Sequence, residues 1–214
     1  MHTRISVYTK SVGGIAGRAR IYPDILQTVS KALRADGEII SDSFVTHVAD
    51  RLVALVVENK DSAKIVRAAF EKAEKIAEEK GLFRNPSAES SFTLEFSELC
   101  GEQIVLFLSA SEDEKFWERI FENSESSACG VSAFLCRADG EYPTVAELCE
   151  KFADKNLNEN GICPVSLCET VFVRTKVVPV AALGFSVHNG KLTGPVDLFD
   201  TSLFESARIR ASGI

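Results

Sequence analysis

Alternation of apolar and polar residues predicts a strand at the beginning of the chain, followed by a glycine-rich turn. Between Arg4 and Thr9 the two residue classes alternate with the period of two that is typical of a half-buried strand. Gly13, Gly14 and Gly17 come next, and these residues lack the Cβ that hinders a positive φ or a close approach to the backbone. The first part of the chain is therefore expected to be a strand that leads directly into a tight loop.

Strand and helix patterns alternate along the rest of the chain. Strands are predicted over residues 38–45, 51–58, 92–96, 103–108, 131–137, 169–176 and 178–187. Helices are predicted from residue 23 or 24 to about 36, then over residues 62–81, 112–123, 144–152 and 201–210. Residues 52–57 are apolar without alternation, as expected of a strand covered on both faces, and 92–96 is expected to pair with 103–108.

This pattern predicts a mixed α/β (α+β) fold, with two sheets or one large sheet flanked by helices. The chain contains no internal repeat and no flexible linker, so a single domain over residues 1–214 is the simplest organisation.

Composition and charge exclude several classes of protein. The chain of 214 residues is 45% hydrophobic and 26% charged, which are ordinary values for a globular protein. A net charge of −7 argues against binding to nucleic acid or to an anionic membrane, because both need a clustered positive field. No apolar run has the length of a membrane span and the N-terminus lacks a signal-peptide pattern, so a cytoplasmic protein is expected.

Six cysteines lie at positions 100, 129, 136, 149, 163 and 168. With no sign of secretion and an ordinary apolar content, we expect reduced thiols that serve mainly as small buried hydrophobic side chains. A zinc site at Cys163 and Cys168 is the alternative, although their spacing is loose and no histidine lies nearby in sequence.

The glycine-rich turn is a candidate anion site. Its amide N–H groups, the Ser11 hydroxyl and the Arg18 guanidinium are groups that can hold an anion. The alternative is a tight bend without a ligand, since the glycine spacing is neither a GxGxxG fingerprint nor a P-loop.

Two further motifs add to this one. The first is Thr46-His47-Val48-Ala49-Asp50-Arg51, and the second is the run from His188 to Asp200, HNGKLTGPVDLFD. With the glycine-rich turn, and in the same order, they resemble the motifs of the archaeal-type fructose-1,6-bisphosphate aldolase/phosphatase family. Its members have an Asp before the glycine turn, a His after it, a Thr-His-x-Gly-Asp-Asp motif and a late His-x-Gly-x-Leu-Thr-x-Pro-Val-Asp run.

The resemblance implies a layered α-β-β-α sandwich, a large homo-oligomer and a role related to gluconeogenesis. It also implies a site in which several Mg²⁺ ions bridge carboxylates and substrate phosphates, with a lysine that forms a Schiff base in the aldolase step. The family's segment that carries this lysine is not recognisable between residues 129 and 174.

The chain looks like a shortened and divergent relative, because it departs from the family where the chemistry lies. The family's first Asp corresponds to Ser11 and its His to Arg18, while Gly-Asp-Asp has become Ala49-Asp50-Arg51. Two positions therefore gain a cation and one loses an anion. Because a site for several divalent metals needs negative charge, the pocket should repel Mg²⁺ and attract phosphate.

Three hypotheses follow. In the first, Ser11, Gly13, Gly14, Arg18 and Arg51 bind a phosphosugar or a similar phosphorylated small molecule, with no cofactor and without the parental catalysis. In the second, the arginines pair with carboxylates such as Asp50, and the chain is an assembly module that forms a homo-oligomer or associates with a full-length paralogue.

In the third hypothesis the chain is a Mg²⁺-dependent sugar-phosphate phosphatase with a rearranged site, a phosphoric monoester hydrolase like fructose-1,6-bisphosphatase. Asp50 would then bind metal together with carboxylates such as Asp139, Glu141 or Asp197.

Overall fold

The computed structural model describes the chain except for residues 16–19, 83–88, 100, 112, 114, 122–126, 154–160, 167–177, 201–203 and 205–214. The described strands are β1 (His2–Ser11), β2 (Ile40–Val48), β3 (Arg51–Glu58), β4 (Ser90–Ser97), β5 (Gln103–Ser109), β6 (Ser127–Ala128), β7 (Val131–Cys136), β8 (Ile162–Pro164), β9 (Val178–His188) and β10 (Lys191–Asp197). The described helices are α1 (Pro23–Arg34), α2 (Ala63–Glu79), α3 (Phe116–Ile120) and α4 (Val145–Ala153).

The chain divides into two compact units. The first contains Met1–Leu99 and Asn189–Leu192, and the second contains Cys100–His188 and Thr193–Ile214. Each unit has its own sheet, so the predicted α/β (α+β) class is confirmed by two sheets and four helices within the described residues. Whether the units form the single domain expected for residues 1–214 stays a prediction.

The first unit is built on an antiparallel sheet in the order β2-β3-β1-β4. Both of its helices are amphipathic and pack on one face of this sheet. The residues that they bury there are Ile25, Val29 and Leu33 of α1 and Val66, Ala69, Phe70, Ala73 and Ala77 of α2. Every residue of β3 is buried, which confirms the strand covered on both faces that its unbroken apolar run predicts.

A hairpin tip from the third motif belongs to the first unit. Asn189 and Gly190 have φ values of 50° and 67°, the backbone that an Asn-Gly hairpin turn adopts between two strands. Glu98 accepts hydrogen bonds from their backbone N–H groups at 2.7 and 2.9 Å, and Asp42 accepts one from the Leu192 N–H at 2.9 Å. Two carboxylates therefore hold this turn in place.

The second unit contains a sheet in the order β10-β9-β5-β7-β6, with β8 parallel to β9. An aromatic core covers one face and includes Phe107, Phe116, Trp117, Phe121, Phe134, Phe152, Phe199 and Phe204. Helix α4 begins with a capping box, in which Thr144 and Glu147 exchange side-chain and backbone hydrogen bonds.

Two expectations about the elements need correction. The strands β4 and β5 do not pair with each other: β4 pairs with β1, whereas β5 is buried and lies between β7 and β9 in the other sheet. Among the described residues, the helix predicted over 112–123 is limited to α3, and Phe121 after it is extended but still enters the core. In the third motif, Gly194 and Pro195 lie inside β10 and are joined by a cis peptide bond.

Two predicted elements lie outside the described residues, namely the strand over 169–176 and the helix over 201–210 apart from the helical residue Phe204. Among the helices that the structure does describe, none combines the length and the apolar character needed to cross a bilayer.

Buried thiols make up most of the described cysteines. Cys136, Cys149 and Cys163 are buried and free, and burial raises the pKa of Cys136 to about 12 and that of Cys163 to about 11. They remain protonated at neutral pH and pack as small hydrophobic groups. Cys168, the second residue of the zinc alternative, lies outside the described residues.

Candidate anion site at the end of the first strand

The first two motifs meet where β1 ends and β3 begins. Ser11 and Arg51 are cross-strand partners, so their side chains lie on the same face of the sheet. The Ser11 hydroxyl donates a hydrogen bond of 2.8 Å to Asp50 Oδ2, and the Val12 N–H donates one of 3.1 Å to the Asp50 carbonyl. Asp50 is completely buried, and Ser11 and Arg51 are 2% and 4% exposed. The structure therefore brings Ser11, Asp50 and Arg51 together, and their role in binding an anion stays a prediction.

A two-residue turn positions Asp50. Ala49 and Asp50 connect β2 to β3, and Ala49 has a φ of 53°, in the left-handed region that favours glycine. This backbone explains why the family motif has glycine at the position of Ala49. His47 Nδ1 lies 3.1 Å from the Ala49 carbonyl oxygen and braces the turn.

The environment of His47 indicates a second cation near the site. Burial lowers the pKa of His47, the hydrogen bond to Ala49 opposes this effect, and the positive charge of Arg20 lowers the pKa further. His47 is therefore neutral at pH 7. The charge of Arg20 acts at the second motif even though its side chain is exposed.

The described ends of the glycine-rich segment pair with each other beside these residues. Gly13 and Gly14 are buried, Gly13 has a φ of 105°, and the Ile15 N–H donates a hydrogen bond of 2.7 Å to the Arg20 carbonyl. Arg18, the remaining predicted site residue, lies outside the described residues. Only a glycine adopts the backbone of Gly13 without strain, so a sharp turn is built into this end of β1.

The side chains around Asp50 are not a suitable set of ligands for several magnesium ions. Magnesium prefers octahedral oxygen ligation, usually with carboxylates and substrate phosphates. Within the described ranges, no group of three or more His, Cys, Asp or Glu side chains is arranged to hold a metal. One oxygen of Asp50 already accepts the Ser11 hydroxyl, and the next residue in the chain is Arg51.

The other carboxylates named for a metal site belong to the second unit and have local roles. Asp139 accepts the Glu141 N–H at 3.1 Å and lies 3.9 Å from Arg137 Nη1. Asp197 accepts the Ser166 hydroxyl at 2.7 Å and the Phe199 N–H at 3.1 Å. These contacts stabilise a turn and the end of β10.

A groove of about 700 Å³ in the second unit was not indicated by any motif. Phe121, Phe134 and Leu148 form its apolar part, and Glu141 and Lys151 lie among its polar residues. Its only sequence signal is the aromatic spacing around α3, which equally predicts core packing, as observed for Phe121.

Comparison with known proteins adds the following findings. A family model described as fructose-1,6-bisphosphatase matches residues 132–214. A protein of Ignicoccus hospitalis is 24% identical over 326 positions, which cover 99% of this chain and 83% of the relative. A protein of Sulfurisphaera tokodaii is 21% identical over an alignment that covers 97% of this chain and 83% of the relative. A protein of Methanothermobacter marburgensis is 35% identical, but its alignment covers only 37% of this chain and 24% of the relative. All three are named fructose-1,6-bisphosphate aldolase/phosphatase.

These matches confirm the resemblance to that family over nearly the whole chain. The first alignment is 326 positions long, 112 more than the chain has residues, so the relative contains segments in the aligned region that have no counterpart here.

Proposed function

We propose that this relative of the fructose-1,6-bisphosphate aldolases/phosphatases binds the phosphate group of a small molecule without a metal ion, in the cytoplasm. Ser11, Gly13, Gly14, Arg18 and Arg51 would hold the anion, and the parental metal-dependent catalysis would be absent. The observation that carries this proposal is the direct hydrogen bond from Ser11 to Asp50 with Arg51 beside it. A hydroxyl and a guanidinium stand where the family motif has carboxylates.

The balance of charge favours an anion over a cation. Among the described residues of the first two motifs, Asp50 is a carboxylate and Arg51 a guanidinium, and the charge of Arg20 acts on His47. A guanidinium binds phosphate through two parallel hydrogen bonds, and burial strengthens this attraction because water screens it less. The same two charges repel a divalent cation.

The backbone near the turn supports this proposal. Because Gly13 and Gly14 have no side chain, a phosphate oxygen can approach their amide groups closely, and amide N–H groups in such a turn form an anion-binding concavity. In a phosphatase the metal supplies the Lewis acid and the activated water. No group in the described site replaces either, so we expect binding without phosphate release.

A second candidate function is that of an assembly protein, and the burial of the site favours it. Ser11, Asp50 and Arg51 are each at most 4% exposed, as expected if the ancestral cavity has been filled by its own side chains. The chain would then act by forming a homo-oligomer or by associating with a full-length paralogue.

Isothermal titration calorimetry with inorganic phosphate in the absence of metal tests the proposal. The wild type should bind, and Arg18→Ala should weaken binding at least about tenfold, since a charge-assisted hydrogen bond contributes about 1.5–3 kcal/mol. Arg34→Ala is the control, because Arg34 is exposed in the last turn of α1, at the opposite end of this helix from the glycine-rich segment. Absence of binding would contradict the proposal, and sedimentation of the chain with and without a family enzyme would then test the assembly function.

A further inference from the structure

The hairpin tip between β9 and β10 contains an Asn-Gly pair whose two amide groups are held by one carboxylate. The Asn189 N–H donates a hydrogen bond to Glu98 Oε2 at 2.7 Å, and the Gly190 N–H donates one to Glu98 Oε1 at 2.9 Å. The Thr3 hydroxyl also donates to Glu98 Oε1, and the Ser41 hydroxyl donates to the Gly190 carbonyl at 2.8 Å. Because the two N–H groups lie on either side of the Asn189 Cα, these bonds fix the rotation of the backbone at Asn189.

An asparagine followed by a glycine has both partners of an intramolecular reaction. The backbone nitrogen of the glycine attacks the side-chain carbonyl carbon, Cγ, of the asparagine, and no Cβ on the glycine hinders this approach. A bond forms between the nitrogen and Cγ, the Cγ–Nδ2 bond breaks, and ammonia leaves with the proton that the backbone nitrogen loses. Water then opens the resulting cyclic imide at either carbonyl and gives aspartate or isoaspartate. Neither step is a redox reaction, and water is the only other reactant.

Glu98 opposes this reaction in two ways. Ring closure requires a rotation at Asn189 that brings the Gly190 nitrogen to Cγ, and this rotation breaks the hydrogen bond from the Gly190 N–H to Glu98. The nitrogen must also lose its proton, and the negative charge of Glu98 disfavours the anion that forms beside it. Burial raises the pKa of Glu98 and its hydrogen bonds lower it by more, so this carboxylate is too weak a base to remove the amide proton itself.

We propose that Asn189 is a self-modifying residue, converted to aspartate or isoaspartate by the Gly190 nitrogen, and that Glu98 keeps it unreactive while the hairpin tip is in place. Asn189 is exposed, so water has access to the imide. The product has a new carboxylate next to Glu98, and isoaspartate also lengthens the backbone by one carbon. Both changes oppose the return of the tip to Glu98, so the reaction permanently marks a chain whose tip has opened. This inference does not depend on the proposed anion binding.

Peptide mapping by mass spectrometry measures the reaction after incubation of the folded chain in mildly alkaline buffer, and enzymatic methylation of isoaspartate gives a second readout. Glu98→Ala should speed the conversion of Asn189 at least about tenfold, because the turn loses its hydrogen bonds to a charged group. Glu95→Ala removes an exposed carboxylate from the same strand and should stay within about twofold of the wild-type rate. The wild type unfolded in urea should convert Asn189 at least as fast as Glu98→Ala does.

A second Asn-Gly pair, Asn160 and Gly161 in the second unit, provides an internal control in the same peptide map. Its rate should be the same in the wild type and in Glu98→Ala. Melting curves verify that the variants fold, and Glu98→Gln takes the place of Glu98→Ala if the alanine variant does not.

Three results would overturn the inference. If the folded wild type converts Asn189 as fast as the folded Glu98 variant, or if Glu95→Ala speeds the reaction equally, Glu98 does not protect the turn. If the rate at Asn160 rises in parallel, Glu98 acts only through general loosening of the chain. If Asn189 stays unmodified even in the unfolded chain, it is not a site of modification.

Discussion

The Ser11 hydroxyl donates a 2.8 Å hydrogen bond to Asp50 Oδ2 between two residues that are 39 positions apart in sequence. This contact joins the first two motifs in a part of the molecule where both side chains are buried. It also occupies one of the two oxygens of the Asp50 carboxylate. The first prediction tests how strongly the fold depends on it.

Ser11→Ala should lower the free energy of unfolding by about 1–3 kcal/mol, because the buried Asp50 oxygen loses its hydroxyl donor. Urea denaturation measures this change. Ser91→Ala removes a hydroxyl from an exposed position of β4 and should stay within about 0.5 kcal/mol of the wild type. Equal effects of the two substitutions would show that the Ser11–Asp50 bond contributes nothing specific.

The positive φ of Ala49 predicts that a glycine is preferred at this turn. Ala49→Gly should raise the free energy of unfolding by about 1 kcal/mol, because an L-residue in the left-handed region is strained. Ala32→Gly in α1 is the control and should lower it by about 1 kcal/mol, the usual effect of glycine in a helix. Thermal melting distinguishes the two, and a loss of stability in Ala49→Gly would contradict the turn geometry.

Glu98 should make stability depend on acidic pH. Its burial raises the pKa, but hydrogen bonds from the Thr3 hydroxyl and from the Gly190 and Asn189 N–H groups lower it by more, so the net pKa is depressed. A carboxylate with a depressed pKa stabilises the fold at pH values above the ordinary glutamate pKa of about 4.3. This contribution disappears as the pH falls through the pKa of the folded state.

The wild type should therefore lose stability between about pH 5 and pH 3 more steeply than Glu98→Gln, whose side chain does not titrate. Denaturation midpoints across this pH range measure the two slopes. Glu95→Gln removes an exposed carboxylate of β4 and is the matched control for the loss of one charge; its slope should stay steeper than that of Glu98→Gln. If plots of denaturation midpoint against pH were parallel for Glu98→Gln and the wild type, Glu98 would have no role in holding the hairpin tip.

A buried carboxylate beneath α2 gives a further prediction. The Glu58 side chain is fully buried, and its Oε1 accepts hydrogen bonds from the Tyr8 hydroxyl at 2.9 Å and from the Ser62 hydroxyl. Its Oε2 lies 3.0 Å from Arg4 Nε as an ion pair that is not aligned as a hydrogen bond. Tyr8→Phe should lower the free energy of unfolding by about 1.5–3 kcal/mol in urea denaturation.

Tyr22→Phe is the control for this substitution, because it keeps the ring that Lys80 covers at 5.3 Å. It should change stability by no more than about 0.5 kcal/mol. If both tyrosine variants were equally stable, the Tyr8–Glu58 hydrogen bond would not contribute to the fold.

The local pattern of apolar and polar residues was sufficient to predict many of the helices and strands. The unbroken apolar run predicted β3 with both of its ends at Arg51 and Glu58, and the strand predicted over residues 178–187 matches β9 to within one residue. The pairing of strands was harder to predict. The apolar pattern of a strand indicates which of its faces is buried, but it does not indicate which strand lies beside it. The error in pairing β4 with β5 has this cause.

The candidate site was predicted in part for the same reason. Ser11, Asp50 and Arg51 were found through their motifs, but their contact depends on the register between β1 and β3, which sequence spacing does not specify.

The most direct test of metal-independent anion binding is a calorimetric titration of phosphate carried out with EDTA and again with excess Mg²⁺. The charge around Asp50 predicts the same phosphate affinity in both titrations, no heat from Mg²⁺ alone, and no release of phosphate from fructose 1,6-bisphosphate. Phosphate binding that requires Mg²⁺, together with phosphate release that is lost in Asp50→Asn, would contradict this account and show that the site is a metal-dependent phosphatase.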